Sequence, residues 1–554
     1  MTKAWFLEYQ LLKLSRQIWG NDAKNPRRFQ VSKAIPIIDV FAGPGGLGEG
    51  FSSLRDEQGR RKFRLALSIE KDPVACQTLK LRSIQRKLKD GDDLKCYHSM
   101  LRGEIGREAF LAIPTVAEAA REAKNEVMNA ELGKCPNLVI DARIKDALND
   151  EQDWILIGGP PCQAYSLAGR SRRTNDADFE ADEKHFLYRE YLRILKKHSP
   201  PIFVMENVKG MLSSRHGGKP IFSKIFSDLS QPKNGLSYEI RSFVKAKDET
   251  PLKPADFIIR SEKYGIPQAR HRVILLGVRS DLAECKSNLL NELGREVTVR
   301  QVLGGLPKIR SRLSRNGDSP QLWQSTVSSA AKKVRGWGDS REKQLVAAMS
   351  TSAKNSRKLE EVGGMFVREE NPLVGAPSAI ANWLKAPGLR GVIQHESRGH
   401  MASDIARYLF ASSYANEFGV SPDLSVFPKG LLPDHENARF EIGHQIPFSD
   451  RFRVQCAERA SSTIVSHIAK DGHYYIHFDP SQCRSLSVRE AARLQTFPED
   501  YFFEGNRTQQ YAQVGNAVPP LLANQIAQSV FDLLASRSEE QLSGNPIAQS
   551  KGAS

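Results

Sequence analysis

The chain has 554 residues, of which 40% are apolar and 26% charged, so it can form two or three globular domains with a large core. A formal net charge of +16 indicates a polyanionic partner, with nucleic acid as the first candidate and a generally basic surface as the alternative. Seven cysteines without a Cys-x-x-Cys pair argue against a zinc site and a disulfide framework. Because the sequence also shows no run of 18 apolar residues and no signal pattern, it predicts a cytoplasmic protein without a membrane span.

The chain opens with a basic extension, residues 1–34, in which apolar side chains such as Trp5, Phe6 and Tyr9 recur at roughly helical spacing. This spacing predicts a docking helix. The pattern then changes at Ile35, where strands and helices begin to alternate.

A short apolar strand from Ile35 leads into a glycine-rich loop with the pattern G-x-G-x-x-G, formed by Gly43, Gly45 and Gly48. Glycines at this spacing allow the backbone to approach a ligand closely. A second predicted strand ends in Glu70, about 20 residues further on, where an acid would bind ribose hydroxyls. The loop alone does not identify its ligand. A nicotinamide dinucleotide remains an alternative, and so does a tight turn that binds no ligand.

The stretch from about 80 to 150 is polar and helix-rich, which predicts a helical insertion over the edge of a sheet. Near its end the apolar run 138–140 precedes Asp141. No other chemical motif is evident in this stretch.

The apolar residues 154–157 predict a buried parallel strand, and Gly-Gly-Pro-Pro after them forms a rigid loop beyond its carboxyl end. This loop presents one thiol, Cys162, followed by Gln-Ala-Tyr-Ser. Ligands of open α/β sheets bind at this edge, so Cys162 is a candidate nucleophile, with a buried structural cysteine as the alternative. In the loop after it, Gly169 predicts mobility, and Ser166, Arg170, Ser171, Arg172 and Arg173 predict phosphate contacts, with a merely solvated basic loop as the alternative.

The alternation of strands and helices continues to about Val278 and predicts an α/β fold with a doubly wound, mostly parallel sheet. Residues 279–483 lose this alternation and predict a second, smaller, irregular domain rich in Arg, Lys and Trp. Helical periodicity returns over 484–535, and 536–554 are predicted to be a disordered tail.

Six blocks in this order closely resemble the motifs of the DNA cytosine-5 methyltransferases. They are the glycine loop, Pro-Pro-Cys-Gln, Glu206-Asn207-Val208, YGIPQARHRVILLGVR (264–279), RSLSVREAARLQTFPEDYFF (484–503) and QYAQVGNAVPPLLANQIA (510–527). The resemblance covers 37–79, 154–279 and 484–527. It implies the class I S-adenosylmethionine-dependent methyltransferase fold, with 35–278 and 484–535 as catalytic and cofactor-binding domain and 279–483 as target-recognition domain.

The resemblance implies transfer of a methyl group to carbon 5 of a cytosine in a specific double-stranded DNA sequence, after the base is flipped into the pocket. Carbon 5 of cytosine is a poor nucleophile, so the thiolate of Cys162 must first add at carbon 6. Glu206 is implied as the acid that protonates ring nitrogen 3. Arg272 is implied to bind the cytosine carbonyl oxygen, and Arg270 to steady the catalytic loop or a phosphate.

The implied cofactor is S-adenosylmethionine, without a metal. In this assignment Phe41 stacks on the adenine, Glu70 binds the ribose, Asp141 accepts the adenine amine with Asp146 as competitor, and Asn516 closes the pocket. The implied cofactor-binding residues are Phe41, Ala42, Gly43, Gly45, Gly46, Leu47, Glu70, Asp141, Pro161 and Asn516.

Three alternatives remain open. A tRNA cytosine-5 methyltransferase shares the fold but carries a Cys-Phe-Thr signature, which this sequence lacks. A non-catalytic DNA-binding protein on the same fold is the second, and a nicotinamide oxidoreductase, which leaves the Pro-Pro-Cys-Gln loop unexplained, is the third. The absence of a zinc-binding cysteine cluster favours a prokaryotic or phage enzyme, expected to act as a monomer at the nucleoid, with a cognate restriction endonuclease acting separately.

Overall fold

The computed structural model describes residues 33–88, 91–161, 187–216, 219–246, 251–315, 317–334, 337–433 and 449–543. The candidate nucleophile Cys162 and the basic loop after it lie outside the described residues. The helix predicted within 1–34 also lies outside them.

One large sheet forms the centre of the described chain. Its strands are β1 (Ile35–Val40), β2 (Phe63–Glu70), β3 (Val127–Asn129), β4 (Ile155–Gly158), β5 (Ile202–Val208), β6 (Tyr238–Arg241), β7 (Ile258–Arg260) and β8 (His271–Arg279).

The strand order is β3-β2-β1-β4-β5-β8-β6, with β7 also pairing to β8. The first five strands of this order are parallel to one another, whereas β8 runs antiparallel to β5, β6 and β7. All six residues of β1 are buried, as expected for a parallel strand covered on both faces. The predicted doubly wound, mostly parallel sheet is therefore confirmed.

The α-helices of the described residues follow in chain order. They are α1 (Gly46–Ser52), α2 (Pro73–Lys87), α3 (Asp92–Leu101), α4 (Arg107–Ala112), α5 (Pro114–Glu126), α6 (Asn137–Leu148), α7 (Tyr188–His198), α8 (Ile221–Ser230), α9 (Val299–Leu303), α10 (Pro320–Ala330), α11 (Glu342–Ser356), α12 (Ser378–Leu384), α13 (Ala402–Phe418), α14 (Val488–Leu494), α15 (Arg507–Asn516) and α16 (Pro520–Ser543).

Two apolar cores lie on the two faces of the sheet. Helices α6, α7 and α8 form one of them, and α1 and α16 form the other. The last helix, α16, continues to Ser543, so residues 536–543 are helical where the sequence predicts the start of a disordered tail.

Helices α3, α4 and α5 occupy the stretch for which the sequence predicts an insertion. Their apolar side chains, such as Tyr97 and Phe110, share one core with Leu389 and Ile393 of a hairpin whose strands are Gly363–Arg368 and Gly391–Glu396. The insertion therefore does more than cover the sheet edge, because it joins the sheet to the region after Arg279.

The region after Arg279 is built on two cores. Helices α10, α11 and α13 share one core. Helices α9 and α12 pack with α14 and α15 in the other. The second core thus combines residues from both sides of Cys483.

Candidate active site

The strand order changes direction beside β1, since β2 lies on one side of this strand and β4 on the other. In open α/β sheets ligands bind at such a switch point, beyond the carboxyl ends of the strands. The ends of β1, β2, β4 and β5 bring Phe41, Glu70, Gly159 and Glu206 to this edge. Four of the predicted site residues or their neighbours therefore meet at one place.

The glycine loop after β1 is closed on one side and open on the other. A Cβ added at Gly45 would lie 2.7 Å from Leu79, and one added at Gly46 would lie 2.2 Å from the carbonyl of Val518. At Gly43, where φ is +56°, an added Cβ would have no neighbour within 4 Å. Phe41 also has a positive φ, of 56°, at the point where the strand turns into the loop. The open side, beside Gly43, is called the cradle below.

Glu70 lies beside this cradle at the end of β2. Its two carboxylate oxygens accept hydrogen bonds from the backbone amides of Gly43 and Asp72, each at 2.8 Å. A half-buried carboxylate fixed in this way is suited to accept hydrogen bonds from sugar hydroxyls. The neighbouring strand β3 ends at the same level, because Asn129 pairs with Glu70.

The structure does not bring Asp141 to the cradle. This residue is in the interior of α6, and its carboxylate accepts hydrogen bonds from Arg193 at 2.8 Å and from His198 at 2.9 Å. The apolar run before it is helical and is not a strand that ends at the site. Asp146 is on the same helix. The carboxylate of Asp141 is thus engaged by Arg193 and His198, and its predicted adenine contact stays a prediction.

A second group of predicted residues meets around the turn after β4. Arg272 on β8 and Glu206 on β5 form an ion pair with 2.9 Å between Nε and Oε1. An added Cβ on Gly159 would lie 3.0 Å from Glu206 Oε2, so the turn passes directly over the carboxylate. The side-chain amide of Asn207 donates to the carbonyl of Pro160 at 3.3 Å. Pro161, the last described residue before Cys162, continues this turn.

Arg270 is buried and is held by two main-chain carbonyls. Its side chain donates to the carbonyls of Ile464 at 2.7 Å and Gly515 at 3.2 Å, and the residue is 3% exposed. Burial, together with the nearby Arg272, lowers the pKa of Arg270. With both terminal nitrogens bonded to main-chain carbonyls, Arg270 is not free to contact a phosphate. It instead joins the start of β8 to two segments from the end of the chain.

The end of the chain returns to the glycine loop. Val518 packs on Gly46, and Ala523 would lie 2.4 Å from a Cβ added at Gly50 in α1. Asn516 is exposed at the end of α15, two residues before this contact. The position is compatible with its predicted role at the rim of the pocket.

Two residues near the loop were not predicted from the sequence. The hydroxyl of Tyr501 donates to the carbonyl of Pro44. Asp39 on β1 is 1% exposed beside the backbone of Gly48, and burial, followed by the Glu70 carboxylate, raises its pKa to about 8. A carboxyl in an otherwise apolar strand was a signal for Asp39, whereas the contact of Tyr501 spans most of the chain and has no local signal.

Within the described ranges, no group of three or more His, Cys, Asp and Glu side chains is placed to hold a metal ion. No helix of the described residues is long and apolar enough to cross a membrane.

The family profile described as C-5 cytosine-specific DNA methylase matches residues 129–532. The type II methyltransferase M.Bpa9945I of Bacillus paralicheniformis is 30% identical over 516 residues, which are 90% of this chain and 99% of that protein. The type II methyltransferase M1.HphI of Haemophilus parahaemolyticus is 23% identical over 500 residues, 90% of this chain and 87% of that protein. Among solved structures, a DNA modification methyltransferase encoded within an E. coli prophage aligns with a TM-score of 0.47 at 19% identity, covering 91% of this chain and 100% of that one.

Proposed function

Because the chain belongs to the family of C-5 cytosine-specific DNA methylases, whose members methylate carbon 5 of cytosine in DNA with S-adenosylmethionine as donor, we propose a role for each residue at the switch point. The observation that carries this proposal is the Glu206–Arg272 pair, held against the Gly159-Pro160-Pro161 turn next to the glycine cradle. The turn follows β4, which pairs both with β1, the strand that leads into the cradle, and with β5, the strand that carries Glu206, so we assign the pair and the cradle to the two halves of one transfer reaction.

The cradle is the proposed seat of the methyl donor, which when bound supplies an electrophilic methyl group on its sulfonium. The backbone at Gly43 has the open space that a ligand needs, and Glu70 lies ready to accept from ribose hydroxyls. Phe41 offers a half-buried ring for the adenine, and Asn516 lies at the rim. In place of Asp141 we assign the adenine contact to the end of β3 at Asn129 and Ala130, next to Glu70.

The proposed chemistry on cytosine uses three side chains. The thiolate of Cys162 forms a bond to carbon 6, and the displaced electron pair moves toward ring nitrogen 3. Glu206, which takes up a proton from solvent when the cytosine separates it from Arg272, donates that proton there, and this leaves carbon 5 enamine-like and able to attack the methyl group. Arg272 donates to the carbonyl oxygen at carbon 2. Loss of the carbon 5 proton to water, departure of the Cys162 thiolate and return of the nitrogen 3 proton to Glu206 complete the exchange and restore the ring.

Arg270 has a supporting role in this proposal. Since it joins the start of β8 to the carbonyls of Ile464 and Gly515, it fixes the strand from which Arg272 extends. We therefore assign Arg270 to positioning and not to contact with DNA.

We further propose that residues 279–483 select the DNA sequence. Two strong basic runs of the chain are in this region, and phosphate contacts by Arg and Lys hold a duplex while other side chains read base edges. The relatives are named as type II methyltransferases, so a cognate restriction endonuclease acting separately is the proposed partner. The enzyme is proposed to act as a monomer at the nucleoid.

The proposed function is tested with Cys162→Ser, with Cys96→Ser as the control at a half-buried cysteine on α3. We expect Cys162→Ser to lose methyl transfer but to bind S-adenosylhomocysteine like the wild type. A duplex with 5-fluorocytosine should trap the wild type and Cys96→Ser covalently, but not Cys162→Ser. Methylation by Cys162→Ser at a rate comparable to the wild type would show that the nucleophile is misassigned, and a wild type without any transfer would favour the non-catalytic DNA-binding alternative.

A further inference from the structure

The carbonyl of Pro44, at the centre of the glycine loop, is held by a side chain from near the other end of the chain. It accepts a hydrogen bond from the hydroxyl of Tyr501, whose side chain is 1% exposed. Burial raises the pKa of Tyr501, so the hydroxyl stays a donor over the working pH range. Since the Pro44 carbonyl and the Gly45 amide belong to one planar peptide, this bond fixes the orientation of the loop at its centre.

Arg82 holds the ring of Tyr501 in place. The guanidinium carbon lies 4.9 Å from the ring centroid. The nitrogens donate to Glu49 at 2.6 and 3.0 Å and to Asp500 at 2.9 Å. Burial acts to lower the pKa of Arg82, but the carboxylates of Asp500 and Glu49 raise it above its usual value, so the side chain stays charged. Because Glu49 is in α1, Arg82 ties the segment that carries Tyr501 to the helix that follows the glycine loop.

The same segment, residues 498–503, is fixed from its other side. Arg489 donates to the carbonyls of Tyr501 at 2.7 Å and Ile393 at 3.1 Å. The side chain of Gln394 donates to the carbonyl of Phe503 at 2.7 Å and accepts from its amide at 3.1 Å. Held between the hairpin and Arg82, the segment is a rigid platform for the Tyr501 hydroxyl.

We infer that Tyr501 is a positioning residue for the methyl-donor site, and that its hydroxyl sets the shape of the glycine loop through the carbonyl of Pro44. The inference rests on the proposed function, because only that assigns the loop to S-adenosylmethionine. Loss of the hydroxyl leaves a buried carbonyl without its donor, and the loop can then relax away from the shape that binds. We expect the effect to be specific to binding of the methyl donor, since Glu206 and Arg272, which are assigned to the cytosine, are on other strands.

The test compares Tyr501→Phe with a matched variant, Tyr238→Phe. The Tyr238 hydroxyl also donates to a main-chain carbonyl, that of Pro200 at 2.8 Å, and the residue is 4% exposed, but it is on β6. Calorimetry should show S-adenosylhomocysteine binding about tenfold weaker in Tyr501→Phe and unchanged in Tyr238→Phe, the size expected for one lost buried hydrogen bond. In steady-state assays KM for S-adenosylmethionine should rise by a similar factor, with kcat within about threefold of the wild type.

Binding by Tyr501→Phe within twofold of the wild type would overturn the inference, and so would an equal loss in Tyr238→Phe. A wild type that neither binds S-adenosylhomocysteine nor methylates DNA would overturn the proposed function itself, and this result needs no variant. If Tyr501→Phe does not fold, hydrogen exchange on the wild type decides. Amides in 498–503 and in the first turn of α1 should gain protection together when S-adenosylhomocysteine is added, and no gain in 498–503 overturns the inference.

Discussion

Glu206 and Arg272 form an ion pair in which both side chains are almost buried. Their side chains are 14% and 12% exposed, and burial lowers the pKa of Arg272 although Glu206 opposes this. Removing one member of such a pair leaves the other charge desolvated and unpaired. A cytosine that enters the pocket would meet both side chains already oriented. This arrangement suits Glu206 as the acid at ring nitrogen 3 and Arg272 as the hydrogen-bond donor to the neighbouring carbonyl oxygen.

Glu206→Gln keeps the shape of the side chain but cannot donate the carboxyl proton to ring nitrogen 3. General acid catalysis contributes roughly a hundred- to ten-thousandfold, so single-turnover methyl transfer should slow by about that factor with the fold intact. Glu262→Gln is the control, because Glu262 also has a mostly buried side chain, paired with His271 at 2.8 Å. A loss of tenfold or less in Glu206→Gln would contradict the assigned role.

Asp39 makes stability depend on pH. Its pKa rises from an ordinary 3.8 to about 8 in the fold, first through burial and then through Glu70. A folded pKa above the unfolded one means that stability is full below about 3.8 and declines as the pH rises toward 8. Asp39→Asn removes this decline, so the variant should exceed the wild type by a few kcal/mol at pH 8, and by progressively less toward pH 4.

Urea unfolding of Asp39→Asn and the wild type at several pH values between 4 and 8 measures this difference. Since both proteins carry the same other titrating groups, their contributions cancel in the comparison. An equal difference at every pH would show that Asp39 does not titrate in this window.

At the scale of elements, two glycines have different roles. Gly43 in the glycine loop is proposed to bind the ligand, whereas Gly50 in α1 allows close helix packing. An added Cβ at Gly43 meets nothing within 4 Å, whereas one at Gly50 lies 2.4 Å from both Ala523 and the Pro520 carbonyl of α16. Gly50→Ala should therefore lose roughly 3 kcal/mol of stability by overpacking. Gly43→Ala should lose only about 1–2 kcal/mol, because of its positive φ, but its methyl group enters the cradle.

Thermal unfolding and S-adenosylhomocysteine calorimetry distinguish the two variants. Below the unfolding transition, Gly43→Ala should bind more than tenfold more weakly, and Gly50→Ala should bind nearly like the wild type. Wild-type affinity in Gly43→Ala would mean that the donor does not lie over this part of the loop.

Elements that a local pattern specifies were predicted from the sequence, and contacts between distant segments were not. The strand before Gly43 and the strand that contains Glu206 are set by apolar runs, so both strands followed from the sequence, whereas the order of the strands in the sheet and the end of β5 at Val208 did not. Asp141 is in the interior of a helix with its carboxylate bonded to Arg193 and His198, and the apolar run before it reveals neither partner. Arg270 and Tyr501 have partners 194 or more residues away, which no local periodicity reveals.

At the scale of the whole molecule, the two proposed domains are not independent, because they share side-chain cores. Leu389 and Ile393 of the hairpin lie in one core with α3, α4 and α5. Val299 and Val302 of α9 lie in another with α14 and α15. Arg102, the residue after α3, also donates to the carbonyl of Gly388 at 2.8 Å. The proposed recognition region therefore contacts the insertion through this core, and it contacts the start of β8 through Ile464.

This sharing determines how the recognition region can be exchanged with that of a relative that methylates a different sequence. Exchange of 279–483 alone places a foreign hairpin against the native insertion, whereas exchange of 80–150 together with 279–483 keeps their common core matched. The second chimera should be more stable by a few kcal/mol, since a poorly matched core loses packing at several buried apolar positions.

Either chimera that folds should methylate the relative's sequence. If each exchange keeps the native Gln394, and the exchange of 80–150 also keeps Arg82, Asn129 and Ala130, affinity for S-adenosylhomocysteine should remain that of the wild type, because the glycine loop and its supports are then unchanged. Bisulfite sequencing of DNA from cells that express each chimera identifies the methylated site, and urea unfolding compares their stabilities. An active chimera exchanged only at 279–483 that keeps the original site would place sequence selection outside this region. If the double exchange then changed the site, the insertion, which packs on the hairpin at Leu389 and Ile393, would be the element that selects it.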